Sequence, residues 1–426
     1  MSAALPARIA QALAPILVIP ALLEYLGVEL YGFWMATTAV VTMLAFSDLG
    51  LGNAIMSRLP PMLADGRIAA ARSLLSSSYA LLTAICVLFS ILFGGFAWLA
   101  PLDELLGVGD SLGPGVVRGV FLVTALSFLV NIPLSLVVRV QFARQRSGQA
   151  YLVTALTALF SMAFTILAVR LRMGVVHVVA INLMVAPLVN LVYTFGLFGW
   201  PLRDLRPTLH ASDLQQVRDV LRGGLPFLAL TILLTAASSA DYVLIGYLVG
   251  PSEVAEFSVP ARLLAQVGAL IGLINMPFWS ASSEALARFD ITWVQRMRRS
   301  LTGLGLGMSI LSVLILLFAA APLYRWWLGG ILPLSLPLVA GLGAWWITQA
   351  ALSPTFMVQN GLAVVTPQLV GFPAYLALSV PLKVLLVPEF GVATVGWIST
   401  GCFLATVVPA AVYGYRSAIR PYAVVS

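Results

Sequence analysis

Apolar residues run along this chain in blocks of about twenty, separated by short polar stretches. Blocks such as 79–100 and 300–321 are apolar on every side rather than along one face. A helix crosses the hydrocarbon core of a bilayer in about 20 residues, whereas a barrel strand takes about 10 and alternates apolar with polar. The pattern therefore predicts helical spans near 9–26, 30–50, 74–100, 115–138, 150–170, 175–199, 224–249, 257–283, 300–320, 334–357, 367–386 and 391–414, twelve in all. The longest polar connection, 201–223, follows the sixth span and separates two six-helix lobes, 1–200 and 224–426. Within this connection Leu214, Val217, Val220 and Leu221 recur among Asp and Arg, the spacing of a short amphipathic helix on a membrane surface.

Composition turns the pattern into a class. Apolar residues make up 61% of the 426 and charged residues 9%, against about 45–50% and about 25% in ordinary globular chains. Such a chain has too little polar surface for water, so lipid is its solvent and its backbone must satisfy itself in helices. The expected fold class is an all-α membrane protein. The net charge of +7 arises from 22 Arg and one Lys. In a water-soluble protein it would suggest nucleic acid; here the basic residues are short clusters between apolar blocks, which orient membrane proteins. Seventeen Lys and Arg fall on the side of the N-terminus and six, Lys383 among them, on the other. That bias puts both termini in the cytoplasm. Cys86 and Cys402 are isolated within apolar blocks and read as packing residues. The block 9–26 lacks the cleavage pattern of a signal peptide.

A faint repeat links the halves. A shift of 224 residues sets Phe33 on Phe257 and Arg72 on Arg296. In both halves a span ending in glycine (Gly27, Gly250) leads into an acidic turn (Glu29, Glu253) and another span. Halves of six spans enter the membrane in the same direction, so the implied pseudo-symmetry axis lies along the membrane normal.

Three stretches resemble the oligosaccharide flippases of the multidrug/oligosaccharidyl-lipid/polysaccharide (MOP) exporter superfamily, in particular the O-antigen and polysaccharide flippase branch. They are LEYLGVELYGFWMATTAVVTMLAFSDLGLGNAIMSRL (23–59), SADYVLIGYLVGPSEVAEFSVPARLL (239–264) and MPFWSASSEALARFDITWVQRMRRS (276–300); VPEFGVATVGWIST near the end also fits. The resemblance implies two six-helix lobes facing each other in a V around a cavity that opens alternately to either side. It also implies a function, which is to carry a polyprenyl-diphosphate-linked oligosaccharide from the cytoplasmic to the outer leaflet of a bacterial inner membrane. The products of such transport are cell-surface polysaccharides such as the O-antigen of lipopolysaccharide. The implied partners are the lipid-linked oligosaccharide and membrane lipid, with no nucleic acid. No cofactor is implied, and a coupling H+ or Na+ is left open.

Charges within spans cost roughly 2.5–3.5 kcal/mol each and need a reason. Arg262, in span eight, is expected to hold the diphosphate by bidentate hydrogen bonds; the lipid II flippases resemble it in an arginine followed by leucine here. The alternative is snorkelling, or pairing with Glu256. Asp241, in span seven, is expected to pair with an arginine or bind a coupling cation, or else to be anchored by Ser238 or Ser239. Glu24 has similar options, and its neighbours Pro15 and Pro20 would bend span one. Gln359 and Asn360 are candidate sugar contacts, with helix capping as the alternative. Asp48, Asn53, Arg58, Glu284 and Arg288 are expected to close a cytoplasmic gate by ion pairs, or to be ordinary interface charges. Trp326, Trp327, Trp345 and Trp346 are expected in an interfacial belt rather than at a sugar site.

Enzymatic readings find little support. The two histidines, His177 and His210, lie near span ends, and no H-E-x-x-H, nucleotide-binding loop or G-x-S-x-G is present. A cation-coupled multidrug exporter of the same superfamily is the main alternative. A membrane polymerase or ligase, or a scaffold that transports nothing, stands behind it.

Overall fold

In the computed structural model the described residues are 4–43, 51–102, 113–144, 146–208, 214–362 and 364–423. Among them the only regular structure is helical. We number the helices α1 (Ala4–Leu17), α2 (Ile19–Met43), α3 (Leu51–Ala64), α4 (Ile68–Leu99), α5 (Pro114–Ala143), α6 (Ser147–Arg170), α7 (Val175–Gly199), α8 (Leu214–Leu248), α9 (Pro251–Ala287), α10 (Ile291–Leu314), α11 (Ala320–Trp327), α12 (Leu336–Gly361), α13 (Thr366–Phe390) and α14 (Thr394–Ala423).

Eleven helices among the described residues are long and apolar enough to cross a membrane. The remaining expected span, 9–26, is broken at Val18 between α1 and α2, with Pro15 inside α1 and Pro20 at the start of α2. The lipid-facing character shows in α4, where Val87, Leu88, Ile91 and Leu92 stand exposed at helical spacing. In water that face would demand a partner; in hydrocarbon it needs none.

The chain forms two compact units. One comprises Met1–Leu30 and Thr37–Leu228, the other Tyr31–Ala36 and Ala229–Ser426. In the first, α5 is the central helix and packs on α3, α4, α6 and α7. In the second, α12 is central and packs on α9, α10 and α14. These are the fourth spans of the two halves, so each unit is built around the same member of its series.

The repeat seen in the sequence has a backbone counterpart. Gly27 breaks α2 at φ 77, ψ 165, and Gly250 caps α9 at φ 109, ψ 168. This region is essentially closed to residues with a Cβ, which explains why a glycine ends the first span of each half.

The connection between the halves differs from expectation. Residues 214–223 are not a separate short helix but the first turns of α8, which continues unbroken to Leu248. Upstream, a single 3-10 turn at Arg203–Leu205 leads to a stretch pinned on α4: Arg72 Nε donates to the Arg206 carbonyl at 3.1 Å, and the Thr208 amide to Ser76 Oγ at 3.0 Å.

Candidate functional site

The polar chemistry of the second unit converges on Asp241. Helix α13 is apolar around most of its circumference but carries Tyr375, Ser379 and Lys383 at four-residue intervals, one stripe that is at most 2% exposed. The stripe turns inward toward α8. Lys383 Nζ lies 2.5 Å from Asp241 Oδ1, with side-chain exposures of 2% and 13%, and 3.5 Å from the Tyr375 hydroxyl. An ion pair this deep is held by mutual neutralisation, since either charge alone would carry its full desolvation cost.

The charge pattern places Lys383 at the outer membrane edge. It is instead an interior residue, because its four-carbon stem reaches a carboxylate that hydrocarbon would otherwise leave uncompensated. Asp241 accordingly pairs with a lysine rather than an arginine. A sequence clue to this exists: the single lysine of the chain, with Ser379 and Tyr375 one and two turns before it.

Beside the pair lies a cavity of about 240 Å³ whose lining includes Asp241, Ser238, Tyr242, Trp345, Trp346 and Gln349. A second cavity of about 210 Å³ shares Trp346 and Gln349 and adds Ser353. Trp345 stacks on Tyr375 with ring centroids 5.6 Å apart and planes at 22°, and Tyr242 meets Phe257 edge to face at 5.2 Å. Trp345 and Trp346 thus face the interior of the unit, contrary to the expected interfacial belt; Trp326, 80% exposed, does not. Helical periodicity alone could not choose between these faces on a helix apolar all round.

Arg262 lies on α9, next to Ala261 of the cavity wall. Its Nη1 donates to the Tyr31 hydroxyl at 3.3 Å, and its Nη2 lies 2.7 Å from the Met35 sulfur. Both residues belong to the 31–36 segment of the same unit. The expected alternative partner, Glu256, is not among the ion pairs of the described residues, which are Glu284–Arg288 and Asp241–Lys383. Among the described residues Arg262 thus meets two neutral acceptors and no carboxylate.

Other candidates stand elsewhere. Gln359 is fully buried; its amide donates to the Ala411 carbonyl at 2.7 Å and accepts from Gln368 at 3.2 Å, while Asn360 accepts from Gln368 at 2.9 Å. Gln359 is thereby spent on holding α12 to α13 and α14, which corrects its expected role as a sugar contact. Glu284 and Arg288 pair with each other one turn apart on α9, at exposures of 66% and 74%. This is a contact within one helix turn. Glu24 is exposed on α2, in the first unit. Arg58 is half-buried on α3; Asn53 is on the same helix, and its side chain, like all of Asp48, lies outside the described residues. No group of three or more His, Cys, Asp or Glu that could hold a metal occurs among the described residues. Cys86 and Cys402 are free and buried.

An all-helical membrane chain in two units, with intramembrane charges around an internal cavity, has the architecture of MOP superfamily carriers, and solved structures of that superfamily superpose on it. A multidrug resistance MATE family transporter in its inward-facing conformation matches with a TM-score of 0.69 at 16% identity, over 98% of this chain and 95% of that one. The lipid II flippase MurJ, inward closed, matches with a TM-score of 0.71 at 13% identity, over 96% and 86%. The Vibrio cholerae MATE transporter VcmN in its bent form matches at 0.61 and 16%, over 99% and 97%. At these identities the likeness is one of fold. The sequence itself matches the family model described as "Polysaccharide biosynthesis protein" over residues 2–283, and the chain belongs to that family. No curated protein sequence matches it.

Proposed function

We propose that this protein is a flippase, not an enzyme, that moves a polyprenyl-diphosphate-linked oligosaccharide from the cytoplasmic to the outer leaflet of a bacterial inner membrane by alternating access of its two six-helix lobes. Membership of the polysaccharide biosynthesis family and the MOP fold support this reading. The observation that carries it is Arg262, a guanidinium within a membrane-length helix whose hydrogen bonds, among the described residues, go to a phenol and a thioether. Keeping a charge there is costly. The cost is offset when an anionic headgroup takes the unused donors in charge-assisted, bidentate hydrogen bonds. The polyprenyl tail stays in lipid, so the protein has only the headgroup to shelter.

The multidrug exporter reading has less support. A lipophilic cation would seek an unbalanced carboxylate, and Asp241 is already balanced by Lys383.

The test is flipping of a fluorescent polyprenyl-diphosphate oligosaccharide by the purified protein in vesicles, alongside rescue of a flippase-null strain. Arg262→Ala is expected to cut the rate by at least about tenfold at normal membrane abundance, and Arg262→Lys to keep part of it, because an ammonium supplies charge without the fork. Full activity of Arg262→Ala would sink the proposal.

A further inference from the structure

The cavity beside Asp241 is not explained by a diphosphate clamp. Asp241 is the one ionised residue of its wall, and the neighbouring ammonium is already bound to that carboxylate. An anion entering would meet a carboxylate on a wall that itself carries no cation, and an organic cation would meet a pair of zero net charge. Neither gains what burial would cost it.

A neutral ring rich in hydroxyls fits what remains. Lys383 holds Asp241 Oδ1, and among the described residues Oδ2 has no hydrogen bond. The Gln349 amide, in the wall shared by both cavities, makes no hydrogen bond within the described residues. The Ser238 hydroxyl donates to the Thr235 carbonyl at 3.0 Å and keeps its lone pairs. Together these offer acceptors and two N–H donors in a small, largely apolar pocket that opens beside the exposed Ser238. The flat surfaces are indoles. Trp346 lies against Gly268, where an added Cβ would come within 2.1 Å of its ring, so a missing side chain fixes the plane of that indole. Trp345 is fixed by its stack on Tyr375. A pyranose has one face of C–H bonds, which suits the negative face of an aromatic ring, and hydroxyls at its edge for the amide and carboxylate.

We propose that the second unit contains a saccharide subsite, formed by Trp345, Trp346, Gln349, Asp241 and Ser238, that takes one neutral pyranose ring. Its biological meaning rests on the flippase reading, in which that ring belongs to the headgroup whose diphosphate Arg262 holds. The chemistry of the pocket stands independently of transport.

The experiment uses the purified full chain in lipid nanodiscs and saturation-transfer NMR with the methyl pyranosides of glucose, galactose and N-acetylglucosamine. Sorbitol is the open-chain control, and pyrophosphate and tetraphenylphosphonium are the competitors. At least one pyranoside is expected to receive saturation, strongest on its ring C–H protons and above the sorbitol level. Gln349→Leu should weaken that binding about tenfold, the loss of hydrogen bonds to a half-buried amide. Trp346→Phe is the second variant, with a smaller ring in the same place, and should reduce the ring-proton signal. Pyranoside signals at the sorbitol level, signals unchanged in both variants, or displacement by tetraphenylphosphonium would each overturn the subsite. Pyranoside binding by a protein that flips no lipid-linked oligosaccharide would overturn the transport reading and leave the subsite standing. Flipping without pyranoside binding would do the reverse.

Discussion

Lys383 and Asp241 show how one residue can be misread until its partner is known. The pair joins positions 142 apart in the chain, and each charge is tolerable in the interior only because the other is there. Lys383→Met is expected to strand the carboxylate and lower stability by about 3–5 kcal/mol, the usual cost of breaking a buried pair from one side. The double variant Lys383→Met with Asp241→Asn should recover most of that loss, because it buries no net charge. Thermal unfolding of the purified protein in one detergent gives both numbers, and a double variant no more stable than the single would show that the pair is not what holds α8 to α13. Arg262 teaches the complementary point. Its place in a span was legible in the sequence, but its freedom from a carboxylate was not, since Glu256 lies only six residues away.

Helix ends and helix faces carry the next level of information. The glycine turns were visible as a repeat, and the structure supplies their cause in backbone conformation. Gly250→Ala is expected to cost about 1–3 kcal/mol, the strain of forcing a Cβ into a region that excludes it. Gly272→Ala, at a position inside α9 with open space around it, should be neutral or gain up to about 1 kcal/mol. Comparing the two melting temperatures separates conformational strain from the mere addition of a methyl group. The Glu284–Arg288 pair makes the opposite kind of statement. It is exposed and lies within one helix, and such pairs contribute about 0.3–0.5 kcal/mol. Glu284→Gln should therefore leave flipping and melting close to wild type; a large loss of transport would point to the gating role expected from the sequence. The indoles of α12 were undecidable from the sequence for a related reason. On a helix apolar on every side the hydrophobic pattern has no direction, and neighbouring helices choose which ring faces inward.

For the whole molecule, the apolar blocks and the charge bias were legible because each depends only on local composition, whereas the break of the first block at Val18 and the division of the compact units at Leu228 were not. The orientation they imply has a direct check. In a background lacking Cys86 and Cys402, Asp65→Cys in the turn after α3 should react with an impermeant thiol reagent only from the cytoplasmic side. Leu171→Cys in the turn after α6 should react only from outside. The reverse pattern would invert the topology and, with it, the direction of proposed transport.

By itself the sequence determined the solvent of this protein, the all-helical character of its spans, the glycine turns of its repeat and its family. These follow from hydrophobic length, charge count and backbone sterics, all of which act over a few residues. The tertiary structure alone decided which charges are paired, which one is left free and which aromatic faces enclose a cavity. Those depend on contacts such as Arg262 with Tyr31, 231 residues apart, and the energy of a buried charge or an unfilled hydrogen bond is set by whatever packing brings beside it.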